Sequence, residues 1–146
     1  MPKSQHVWER TVECQRGTLR LRSYAARRRP RNFFESTECM TIAAIDCKAL
    51  KNPLTNPRVR NRDIAHIDNI MTALDSVRAC RLFCRSLWLC KTAHKQMFIN
   101  TATPLEVVFY CTSGKHRSKA MVEAIFLRLV DQYGWVEVPE TQTNNF

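Results

Sequence analysis

A chain of 146 residues suits one domain around one core, and 45% apolar residues is ordinary for a folded protein. No apolar run approaches the roughly 18–20 residues that span a bilayer, and the first thirty residues lack the apolar middle of a secretory signal, so the expectation is an intracellular, cytoplasmic protein without membrane contact. Net charge is +10, of which residues 1–34 carry +7, a balance that favours polyanionic partners.

In chain order, residues 1–17 read as a basic, weakly structured lead-in, and residues 18–138 as the domain. Residues 18–24 alternate polar and apolar, the pattern of a strand with one wet face. The block Arg27, Arg28, Arg29, Pro30, Arg31 follows. It suits contact with RNA or another polyanion, and equally a nuclear address or a solvated arm. Residues 40–46 form a short apolar run and predict a buried strand, and residues 52–57 carry turn chemistry. From 58 to 103 there is neither Gly nor Pro. Asp63 can open a helix with Ile64, Ile67, Ile70, Met71, Leu74 and Val77 on one face. A second helix is predicted from Val77 to about Phe98, burying Leu82, Phe83, Leu87, Cys90 and Met97. A strand at 106–110 and a helix from Lys119 to about Tyr133 come next. Gly134 fits a C-terminal cap, Trp135–Val138 a last strand, and 139–146 a flexible tail. The fold class is therefore α/β: a single layered domain, with a small mixed sheet, flanking helices and an anion-binding loop at a strand–helix junction.

The seven cysteines are an odd number without repeated spacing, so reduced thiols filling the core are expected rather than disulfides. Cys80, Cys84, Cys90 and His94 have the residue types of a zinc site. Four ligands strung along one straight helix cannot close a tetrahedron, and neither metal nor cofactor is expected. Trp8, Trp88 and Trp135 are isolated and read as core or interface filling.

The stretch that carries chemistry is Cys111-Thr112-Ser113-Gly114-Lys115-His116-Arg117-Ser118. It joins a strand to a helix, and helix N-terminal amides form an anion site. Lys115, His116, Arg117 and Lys119 crowd the end of a helix where the dipole disfavours cations, a conflict that a bound phosphate resolves. Gly114 allows close backbone approach, Thr112 and Ser113 bring hydroxyls, and Arg117 can grip a phosphate through two N–H groups. Cys111 sits where a thiol pKa would be lowered. In open sheets, ligands bind beyond the carboxyl ends of the strands. That rule places Asp46-Cys47-Lys48, at the end of its strand, on the same rim as the loop.

Cys111 to Arg117, with Ser118 after it, resembles the Cys-x5-Arg-Ser loop of Cys-dependent phosphatases. That resemblance implies Cys111 as nucleophile, Arg117 as phosphate holder and Ser118 as an aid to thiolate departure. Tyr110 stands where those enzymes usually have histidine, and the upstream acids Asp63, Asp68 and Asp75 all fall in predicted helix. The chain more closely resembles the C-terminal domain of the RapZ family, bacterial RNase adapter proteins. The family loop Cys-Thr-Gly-Gly-Lys-His-Arg-Ser differs at one position of eight. The family run Asp-x-Arg-x-Leu-x-Asn-Pro is matched by Asp46-Cys47-Lys48-Ala49-Leu50-Lys51-Asn52-Pro53, with Lys48 in the arginine's place. The resemblance covers roughly residues 18–138. It implies a non-enzymatic module that binds an amino-sugar phosphate such as glucosamine-6-phosphate at 111–118. Asp46, Lys48 and Asn52 would form the rim, and RNA would be a further partner. Leu54 replaces a pocket histidine, and the family's basic tail is replaced by residues 139–146, so RNA contact would lean on Arg27, Arg28, Arg29 and Arg31. A stand-alone copy without ATP or GTP binding is expected, and family assembly leaves a homo-oligomer open. The third reading is a basic polyanion binder in which the loop only supports structure.

Overall fold

The computed structural model describes residues 6–26, 39–51, 74–96, 103–112 and 117–139. Strands β1 (His6–Cys14), β2 (Gly17–Ala25), β3 (Met40–Asp46), β4 (Leu105–Cys111) and β5 (Val136–Glu137) form one sheet in the order β3-β4-β2-β1-β5. β2 and β3 run parallel to β4 on its two sides. β1 pairs antiparallel with β2, and β5 with β1. Helices α1 (Val77–Gln96) and α2 (Arg117–Asp131) share one face of the sheet. The domain is α/β with a mixed sheet, as the alternation of strand and helix signals implied.

The two faces of the sheet differ. Leu19 and Leu21 of β2 and Val107 and Phe109 of β4 point toward the helices, where they meet Phe83, Leu87 and Cys90 of α1 and Met121, Ile125 and Leu129 of α2. Burying side chains of this kind contributes roughly 1.5–3 kcal/mol each, as an upper estimate. The opposite face of β4 carries Glu106, only 2% exposed. Thr41 Oγ1 donates to its Oε1 at 2.7 Å, and Arg22 Nη1 lies 2.8 Å from its Oε2. That second contact is an ion pair, without the alignment of a hydrogen bond. Arg22 Nε also donates to Glu9 at 2.9 Å. Burial alone would lower the Arg22 pKa, but Glu9 and Glu106 outweigh it and raise it. Next to this lattice, burial first and then Glu106 push the Tyr24 phenol up to about 12.

Local chemistry explains the element ends. Gly17 takes φ 146 where β1 turns into β2. The Ser76 hydroxyl accepts from the Ala79 amide at 3.0 Å, an N-cap that starts α1. After α2, Gly134 adopts φ 70, and the Trp135 amide returns to the Leu129 carbonyl at 3.0 Å.

Several expectations need correcting. Residues 6–14 are a strand and not a weakly structured lead-in. Trp8, Arg10 and Val12 alternate toward α2, and Arg10 hides the pattern because its partner is remote. Arg10 Nε and Nη2 donate to Glu123 at 2.7 and 2.9 Å, and the Trp8 indole donates to the same carboxylate at 3.1 Å. The Phe126 ring centroid lies 4.6 Å from the Arg10 guanidinium carbon. Asp75 lies in the turn before α1, outside the helix predicted to hold it. Cys80 and Cys84 are exposed and so are not core thiols, whereas Cys90 is buried. Three of the expected core residues of α1 hold their place, with Phe83, Leu87 and Cys90 buried. The helix predicted from Asp63 lies outside the described residues.

Candidate functional site

β3 and β4 end together. Asp46 is in register with Tyr110, and the Cys47 amide donates to the Tyr110 carbonyl at 2.7 Å. The chain then turns at residues 46–50, where Asp46 Oδ1 accepts from the Lys48 amide at 2.9 Å and the Leu50 amide returns to the Cys47 carbonyl at 3.1 Å. The Asp46 side chain folds this turn as an Asx motif. Lys48 Nζ stands 3.8 Å from Asp46 Oδ2, both groups about half exposed, a pairing worth little in water. β2 ends at Ala25, in register with Cys111, two residues before the basic block begins. The block itself lies outside the described residues.

Helix α2 begins at Arg117, two residues earlier than its periodicity suggested. Arg117 and Ser118 therefore sit in its first turn, held by the helix. Arg117 Nη1 donates to the Lys48 carbonyl at 2.9 Å, and its Nη2 to Thr112 Oγ1 at 3.3 Å. One guanidinium thus ties the β4–α2 junction to the turn after β3, and the two sequence motifs meet on one edge. No acidic residue occupies the first turn of α2. Its dipole and the arginine add with the same sign there.

Cys111 and Ser118 lie below that surface. Their Sγ and Oγ atoms are 3.3 Å apart, and the residues are 1% and 0% exposed. Beside them is Cys47, which the sequence offered no reason to single out. Burial pushes its thiol well above the ordinary range, with Cys111 and Asp46 adding to the shift and Arg117 partly opposing it. Cys47 is therefore held as a neutral thiol. Lys119, another cation of the crowded helix end, places Nζ 3.8 Å from the Trp8 ring centroid on β1.

Of the predicted loop, Cys111, Thr112, Arg117 and Ser118 are brought together with Asp46 and Lys48. Ser113, Gly114, Lys115 and His116 lie outside the described residues, as do Asn52, Leu54, Arg27, Arg28, Arg29 and Arg31. Sequence reasoning passed over a groove of about 420 Å³ between the β3 turn and α1, bounded by Asp46, Ala49, Arg78, Arg81 and Arg85 among others. The three arginines recur at i, i+3 and i+7, the spacing of one helix flank, and that was the legible signal. They have no carboxylate partner among the described residues. No group of three or more His, Cys, Asp or Glu among the described residues could hold a metal ion.

Fold and site together describe a single α/β domain whose parallel strands end at a basic strand–loop–helix junction. The chain matches the RapZ C-terminal domain over residues 19–143 and belongs to that family. No curated protein and no solved structure matches the chain. Among the described residues, no helix is long and apolar enough to cross a membrane.

Proposed function

We propose that the domain is a non-enzymatic binding module for a phosphate-bearing small molecule, held where β3 and β4 end. The observation that carries this reading is the setting of Arg117. It stands in the first turn of α2 and donates, among the described residues, only to neutral oxygens. A guanidinium without a carboxylate keeps its charge for an incoming anion and can meet a phosphate with two N–H groups. Helix amides add to that field. Ser113, Gly114, Lys115 and His116 complete the loop in sequence, and Asp46, Lys48 and Asn52 supply its rim. Family membership makes an amino-sugar phosphate such as glucosamine-6-phosphate the first ligand to test. It also supports RNA as a second partner to test, in the cytoplasm. The exposed row Arg78, Arg81 and Arg85 supports that partner, because arginines along a groove without a carboxylate among the described residues suit a phosphate backbone.

A second reading, a Cys-dependent phosphatase, draws on the 3.3 Å approach of Cys111 Sγ to Ser118 Oγ. In it the Cys111 thiolate forms an S–P bond as the ester P–O bond breaks, the leaving alkoxide takes a proton from water, and a second water then breaks the S–P bond to give inorganic phosphate and the free cysteine. Phosphorus NMR of the protein with glucosamine-6-phosphate separates the two. A shifted or broadened ester line with no new peak is expected. An inorganic phosphate peak that grows with the wild-type protein and not with Cys111→Ser would replace the module by an enzyme. An unchanged spectrum would remove this sugar phosphate as the ligand.

A further inference from the structure

The outer face of α1 does not look like an ordinary solvated helix. Val77 and Trp88 are 69% and 57% exposed, and Cys80 and Cys84 between them are exposed as well. Successive spacings of three, four and four residues place these four side chains in one stripe. The stripe runs about 16 Å along the axis at 1.5 Å per residue. Single exposed apolar residues need no explanation, but a contiguous row does. At the N-terminal end of the row is a hollow of about 550 Å³, lined by Leu74, Val77, Cys80 and Cys84 with Asp75 and Arg81 among its charged groups. An apolar row beside a hollow, ending in a tryptophan, is the form that takes an amphipathic helix in a groove.

Charge selects the occupant. From Val77 to Gln96 the helix has Arg78, Arg81, Arg85, Lys91 and Lys95 and no acidic residue. Lys91 lies over the Tyr133 ring. Arg81 and Lys95 have no carboxylate partner among the described residues. A second copy of this chain would set the same cations against themselves, and like charges across a helix pair repel. A nucleic acid would use the cations but would have no use for a stripe of valine and cysteine side chains. We infer that this face docks an acidic amphipathic helix of another protein. That helix would present apolar residues at i, i+4, i+7 and i+11 to the row and carboxylates to Arg81, Lys91 and Lys95. The surface does not include Arg117, but it shares Val77 and Arg81 with the groove beside the β3 turn, so a helix docked here and a nucleic acid along Arg78, Arg81 and Arg85 would compete for Arg81.

The probe is a synthetic acidic peptide with leucines at those four positions and glutamates at most others, against a scrambled peptide of the same composition. Three tryptophans give three indole N–H signals in proton–nitrogen NMR, and Trp88→Phe assigns the one from Trp88. The designed peptide is expected to move the Trp88 signal saturably. The scrambled peptide should not, added salt should weaken the effect, and Cys84→Glu, an exposed change that leaves the core untouched, should weaken binding at least tenfold. An unmoved Trp88 signal, or an equal shift from the scrambled peptide, would overturn the proposal. So would a Trp88 signal that shifts with protein concentration while sedimentation reports a dimer, which would make the occupant a second copy. A polyuridylate that moves this signal where the designed peptide does not would make the surface a nucleic-acid one.

Discussion

Arg10 and Arg117 both reach across a junction between helix and sheet, and their surroundings are opposite. Arg10 is gripped by the buried Glu123 at 2.7 and 2.9 Å, meets Glu137 at 2.9 Å, and lies against Phe126. The hydrogen bond to Glu123 raises its pKa most, against the opposing pull of burial. Arg117 has only a carbonyl and a hydroxyl among the described residues. The first arginine is neutralised within the fold and binds β1 to α2. The second carries charge that is met by no carboxylate among the described residues. Residue type alone therefore says nothing about role; the charge of the partners does.

Alkali offers the largest effect that should leave both arginines out of account. Burial pushes the Cys90 thiol from 9.0 up to about 12, and a folded-state pKa above the unfolded value means that stability is complete below pH 9 and is lost as pH rises through 12. At about 1.4 kcal/mol per unit the loss approaches about 4 kcal/mol. Tyr24 adds a smaller loss between pH 10 and 12 with the same sign. Urea unfolding at pH 8 and 11 should show about 3 kcal/mol of that drop from Cys90, two pH units at about 1.4 kcal/mol each, and Cys90→Ala should reduce the slope, leaving the part due to Cys47 and Tyr24. An equally steep drop in that variant would mean that alkali acts through the other raised groups, Cys47 and Tyr24, and not through Cys90.

Next in size is Glu123→Ala, which leaves the half-buried Arg10 against the rings without its main carboxylate. A loss of about 2 kcal/mol in unfolding free energy is expected, below the range for a fully buried pair because Arg10 is partly exposed and keeps Glu137. A loss below about 1 kcal/mol would put Arg10 in the same class as Arg117. The smallest effect on stability is expected for Arg117→Ala, under about 1 kcal/mol, because its bonds are to neutral and exposed groups. The same variant should lose phosphate-ligand affinity on the order of tenfold to a hundredfold, the range of a charge-assisted hydrogen bond. Calorimetric titration beside a thermal melt reads both. Destabilisation without lost affinity would make Arg117 a structural strut.

Much of the fold was legible because its signals are local. Strand β3 falls on residues 40–46 as its apolar run predicted, but it is a half-buried edge strand and not the buried one expected; β2 extends one residue beyond its alternating stretch at each end, and Gly134 caps α2 as its position suggested. The loop chemistry at 111–118 and the turn at 46–48 were both visible as motifs. Strand β1 was not, because Arg10 interrupts an otherwise alternating pattern and its partner lies 113 residues away. Nor could one-dimensional spacing tell Cys90, which faces the sheet, from Cys80 and Cys84, which face out. The groove row at Arg78, Arg81 and Arg85 was written in helical spacing, but it gained a wall only when β3 ended beside α1.

The sequence by itself determined where most of the strands and helices run, which turns need glycine, and that a basic strand–loop–helix lies near the C-terminus, since periodicity and turn chemistry act between near neighbours. Tertiary structure decided the strand order, the meeting of Arg117 with the Lys48 carbonyl across 69 residues, and which arginines are neutralised. Those outcomes depend on contacts between chain segments that are distant in sequence, and no local pattern encodes which distant group will fill a side chain's surroundings.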